Sequence, residues 1–126
     1  MTHLRTKITG LLLILPLLFG AGCDRTVPPP APLALEELPT AFQTAFSKAK
    51  PELKELASQF VASVQAKEYP KAFAELQNLT SQPALSKEQV SVTTGALLTV
   101  NSLLQEAQSQ GDAKATETIK TYRETK

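Results

Sequence analysis

The chain is poor in the side chains that most enzyme active sites depend on. Its 126 residues include one cysteine, one histidine and no tryptophan. A single cysteine excludes an internal disulfide, and five glycines supply no glycine-rich phosphate loop. The formal net charge is only +1, so the chain lacks the strong positive field that nucleic-acid binding needs. We therefore expect one small non-catalytic domain with no cofactor, no metal ion and no nucleic-acid partner.

The first 22 residues combine a positive start with an apolar run. Arg5 and Lys7 precede an almost wholly apolar segment over residues 8–19. This run is shorter than the roughly 20 residues of a spanning helix, and Pro16 removes a helix hydrogen bond within it. These features predict an export signal over residues 1–22, with an uncleaved membrane anchor as the alternative. Either interpretation places the rest of the chain outside the cytoplasm.

Three small residues, Gly20, Ala21 and Gly22, lead from the apolar run to Cys23. This segment resembles the lipobox of bacterial lipoproteins, which usually have leucine where Gly20 stands. The resemblance implies cleavage before Cys23, a diacylglycerol on its sulfur, and a lipid anchor in the bacterial cell envelope that faces the periplasm. Asp24 resembles an inner-membrane retention signal. Cleavage would also remove His3, the only histidine.

Residues 23–37 are predicted to form the lipidated cysteine and a proline-rich tether. Pro28, Pro29, Pro30 and Pro32 fix φ and lack an N–H, which disfavours both helix and sheet. Extended polyproline II rises about 3.1 Å per residue, so ten residues would hold a domain roughly 30 Å from the bilayer. A docking motif for an aromatic groove is the alternative.

Residues 38–126 are predicted to form an α-helical domain. The apolar residues recur at spacings that average 3.6, the period of an α-helix. The first stripe consists of Phe42, Phe46, Ala49, Leu53, Leu56 and Phe60. Pro51 interrupts this stripe, and the sequence leaves open whether it kinks one helix or separates two.

Further boundaries follow from local signals. Pro70 predicts the start of a helix, and Ser86 with Gln89 fits a capping box at the start of a helix that runs to about Gln110. The predicted core face of that helix is Val90, Leu97, Val100, Leu104 and Ala107, widened by Ala96 and Leu103. A short strand over residues 90–95 is the competing interpretation, because the segment is β-branched and ends in glycine.

Gly111 and Asp112 predict the next boundary, with glycine as the left-handed cap and aspartate as the N-cap of a last helix. That helix carries Ala115, Ile119 and Tyr122. Residues 66–72, with Leu76, Leu79 and Pro83, resemble tetratricopeptide-type helical hairpins, and residues 111–115 echo the same junction. The resemblance implies antiparallel helices with short loops, and protein or peptide binding as the family's usual work.

Two functions are compatible with these features. The first is a membrane-anchored envelope lipoprotein with a helical interaction or structural module and a protein partner. The alternative is a periplasmic module that binds a small ligand or peptide in an inter-helix groove. An unfilled apolar pocket lined by Phe42, Phe46 and Phe60 would favour the alternative, and a filled core the first. The carboxylates are spread at helical spacings among lysines, which predicts solvated faces with weak ion pairs.

Overall fold

The structure, a computed structural model, describes residues 30–126. They form five α-helices and, within that range, no strand: α1 (Leu38–Ala45), α2 (Pro51–Gln65), α3 (Tyr69–Thr80), α4 (Lys87–Ser109) and α5 (Ala113–Glu124). The all-α prediction is confirmed, and the strand considered for residues 90–95 is absent because this segment is part of α4.

A proline occupies one of the first two positions of each of the first three helices, namely Pro39, Pro51 and Pro70. Proline fits there because its missing N–H would have no partner within the helix. The first stripe is divided between two helices, since Lys50 before Pro51 is extended with ψ 152°. Pro51 therefore separates α1 from α2 and does not kink a single helix.

The loops after α2 and α4 close in the same way. After α2, the Lys67 N–H donates to the Val64 carbonyl (3.0 Å) and the Glu68 N–H donates to the Ser63 carbonyl (2.9 Å). This pair of hydrogen bonds is the Schellman motif, which needs a left-handed residue after the helix, and Lys67 takes that conformation with φ 59°. The loop after α4, whose sequence resembles the loop after α2, has the same backbone geometry.

After α4 the left-handed position falls on Gly111, with φ 89°. The Asp112 N–H donates to the Ala107 carbonyl, 3.0 Å away, which closes the same motif. The Asp112 side chain then accepts from the Ala115 N–H and caps α5, as predicted.

The start of α4 is confirmed, but one part of its predicted core face is wrong. The Ser86 hydroxyl accepts from the Gln89 N–H at 3.1 Å, and the Gln89 side chain accepts from the Ser86 N–H at 2.9 Å. Val90 is 49% exposed, whereas Gln89 and Thr93 are buried. The Gln89 amide donates to the Ala45 carbonyl, and the Thr93 hydroxyl donates to the Gln89 carbonyl. These hydrogen bonds satisfy the buried polar groups of Gln89 and Thr93, so the buried face of α4 includes these two residues and not Val90.

One apolar core joins all five helices. The pairs α2 with α3 and α4 with α5 are hairpins with short loops, and α3 also packs on α4. The short helix α1 lies between α2 and α4. Phe73 meets Tyr122 edge to face at 5.1 Å between ring centroids, which connects α3 to α5. The largest fully buried apolar side chains are Leu38, Phe42, Phe60, Leu76, Leu79, Val100 and Leu104.

Candidate functional site

The predicted lipidation residue Cys23 and the sorting residue Asp24 lie outside the described residues. The described part of the predicted tether begins at Pro30, and its residues 31–33 form a strap that lies across the middle of α4. The Leu33 N–H donates to the Gly95 carbonyl at 3.3 Å. The Thr99 hydroxyl donates to the Leu33 carbonyl at 2.5 Å, so both backbone groups of Leu33 are bonded to α4. Residues 31–33 thus contact the bundle before α1 begins.

Gly95 makes room for the strap. A β-carbon at this position would lie 3.0 Å from Leu33 Cγ and 3.1 Å from the Ala31 carbonyl oxygen, closer than such atoms normally approach. In the sequence, Gly95 is the last residue of the segment that could form a short strand. A lone glycine inside a helical pattern is, however, a recognised sign of a close backbone approach, and that signal could have pointed to the strap.

An open groove with a volume of about 560 Å³ lies between α1 and α2. Apolar side chains from both helices line it, including Phe42, Phe46 and Val61, and Lys54 and Gln65 contribute polar atoms. The groove is open to solvent, so it is a surface depression and not an enclosed pocket.

The three phenylalanines of the sequence analysis do not leave a cavity between them. Phe42 stacks on Phe46 with 5.7 Å between ring centroids, and Phe42 lies 4.8 Å from Phe60. The three rings are at most 2% exposed. Phe42 and Phe46 form the inner wall of the α1–α2 groove, whereas Phe60 lies behind them in the core. The rings therefore pack as core residues, and the open volume lies outside them.

The charged side chains form few contacts. Within residues 30–126 two ion pairs occur, Lys71 with Glu68 at 3.5 Å and Lys120 with Glu124 at 3.9 Å. Both pairs are more than half exposed, so each contributes at most about 1 kcal/mol to stability. The same residues contain no group of three or more acidic, cysteine or histidine side chains that could hold a metal ion.

None of the helices in residues 30–126 combines the length and the hydropathy needed to cross a bilayer. Comparisons of the chain with protein-family models, with curated proteins and with solved structures give no match. The lipoprotein resemblance of residues 1–24 and the tetratricopeptide resemblance of the hairpins therefore stay predictions from their motifs.

Proposed function

We propose that this chain is a bacterial envelope lipoprotein that is anchored through lipid on Cys23 and displays a small, non-catalytic helical module to the periplasm. The observation that carries the proposal is the run of small residues into Cys23 directly after a charged start and an apolar segment. Two or three acyl chains make a stable anchor, since each buried CH₂ contributes about 0.8 kcal/mol.

The bundle supports the role of a displayed module. Its phenylalanine cluster is closed and its core is continuous, as expected of a structural or interaction domain. The strap also supports this role, because residues 31–33 contact the bundle at one defined place, Gly95 and Thr99 of α4. From Cys23 to Ala31 is a span of eight residues, which would reach roughly 25 Å as polyproline II.

Metabolic labelling with a fatty-acid analogue tests the anchor. Cys23→Ala should abolish labelling, because no other cysteine is present to carry the lipid. Asp24→Asn is the matched control and should keep the label. Labelling that persists in Cys23→Ala, or wild-type protein recovered without lipid on Cys23, would overturn the proposal.

The groove between α1 and α2 supports a second candidate function, the binding of a small apolar ligand or peptide. Its volume of about 560 Å³ lies within the range of small-molecule sites. Val61→Glu would place a charge on this lining, and Val90→Glu on α4 is the control because Val90 is already exposed and does not line the groove. An apolar fluorescent dye should then bind wild type and Val90→Glu but not Val61→Glu. Equal binding by all three would exclude the groove.

A further inference from the structure

A second groove, between α1 and α4, combines an apolar lining with carboxylates at both ends; we call it the acidic groove. Leu33 of the strap, Ala41 of α1 and Val92 of α4 supply its apolar atoms. All three side chains are half-buried, so part of each is accessible to a ligand. The groove is a shallow, open depression of about 500 Å³, with Leu33 of the strap in its lining.

The carboxylates of the acidic groove lie at its two ends. The contacts of Ala45 with Gln89 and of Leu33 with Gly95 show that α1 and α4 run antiparallel. Glu36 and Glu37 therefore lie at the strap end, and Glu88 lies at the other end, beside the start of α4. The eight residues of α1 between them span about 12 Å.

These three carboxylates have no cationic partner among the described residues. No lysine or arginine of residues 30–126 lies within 4.0 Å of Glu36, Glu37 or Glu88. The groove thus presents negative charge at two ends and apolar atoms between them. The complementary occupant carries positive charges about 12 Å apart with apolar side chains in the middle, and two basic residues seven apart in a helix are separated by about 10.5 Å.

From this complementarity we infer that the acidic groove binds a basic amphipathic segment of a partner protein, with one lysine or arginine at each end and leucine-like residues between. The inference rests on the proposed role of the bundle as an interaction module and names the chemistry of its partner. It does not depend on the lipid anchor, so fatty-acid labelling and the binding experiment below can fail separately.

The experiment uses the full chain in a nonionic detergent and a labelled synthetic peptide. The peptide is alanine-based, acetylated and amidated, with two lysines seven residues apart and two leucines between them. Fluorescence anisotropy should show saturable binding that weakens with added salt, and the same peptide with glutamates in place of the lysines should not bind. Failure of the lysine peptide to bind, or equal binding of both peptides, would overturn the inference.

A pair of matched variants locates the site. The triple variant Glu36→Gln, Glu37→Gln, Glu88→Gln should weaken binding by about tenfold or more, since ion pairs at both ends are lost. The control Glu55→Gln, Glu106→Gln, Glu117→Gln removes the same charge from exposed positions outside the groove and should bind within about twofold of wild type. Equal loss in both variants would show nonspecific attraction and overturn the inference.

Two other occupants are outcomes of the same experiment. A dimer of the full chain in sedimentation, abolished by the groove triple variant and kept by the control triple, would assign the groove to a second copy. Full competition of the peptide by an equal concentration of spermidine would assign it to a small polyamine. Either result would overturn the partner proposed here. Val92→Thr, nearly isosteric, should also weaken peptide binding, which tests the apolar part if the triple variant fails to fold.

Discussion

Gly95→Ala should separate the strap from the bundle without unfolding the bundle. The new methyl group would lie 3.0 Å from Leu33 Cγ and 3.1 Å from the Ala31 carbonyl oxygen, so the strap must move or detach. Overpacking of this kind costs about 1–3 kcal/mol in a packed site. We expect detachment, because the strap itself is held weakly.

The strength of the strap follows from its contacts. Its two hydrogen bonds to α4 contribute about 1 kcal/mol each, and the half-buried Leu33 side chain contributes about 1 kcal/mol. Ordering the three residues of the strap costs about 1 kcal/mol each. The two totals nearly cancel, so the bound strap is favoured by no more than about 1 kcal/mol. Alanine also gains about 1 kcal/mol over glycine within a helix.

The expected signature is a mobile strap on a bundle that is as stable as wild type or up to about 1 kcal/mol more stable. In the chain from Asp24 onward, nitrogen-15 relaxation of the Leu33 amide reports the strap, and urea unfolding reports the bundle. Ser102→Ala, on an exposed position of α4, is the control that should leave the strap ordered. A Leu33 amide as ordered in Gly95→Ala as in wild type, or a loss of stability greater than about 1 kcal/mol, would contradict detachment of the strap.

Three further predictions concern the bundle and are measured by urea unfolding. Phe60→Ala should cost about 3–5 kcal/mol, because the ring is fully buried, and a loss below about 1 kcal/mol would contradict its place in the core. Ser86→Ala should cost about 1 kcal/mol through loss of the capping box, whereas an unchanged midpoint would show that the cap does not matter. Lys67→Gly should stabilise by about 1 kcal/mol because it relieves a left-handed non-glycine residue, and Gly111→Ala should destabilise by a similar amount; effects of the same sign would refute the shared loop geometry.

Local signals in the sequence were sufficient for most helix boundaries. The capping box at Ser86 and the turn at Gly111 act through bonds within a few residues, so the pattern contains the information needed to place them. The core face of α4 was harder to predict. Gln89 is buried because its amide reaches the Ala45 carbonyl, 44 residues away, and no periodicity of apolar residues records such a contact.

The two grooves depended on contacts that the sequence does not reveal. The sequence left open whether Phe42, Phe46 and Phe60 line a pocket or fill the core. Their rings pack together, and the α1–α2 opening lies on the outer side of Phe42 and Phe46. The strap could not be predicted from the sequence, because the contact between Leu33 and Gly95 depends on how α1 packs against α4. Gly95 was the one sign of the strap in the sequence.

The weakness of the strap gives the chain a reserve of length. Tension applied upstream of Ala31 meets α4 at Gly95 first, and two hydrogen bonds would yield there before any turn of α1 has to unwind. Detachment of residues 31–37 from the bundle would then free a segment whose extended length is roughly 23 Å, at about 3.3 Å per residue. If the point that holds the amino-terminal side of the chain were suddenly displaced, this freed segment would extend first and the helices would stay folded.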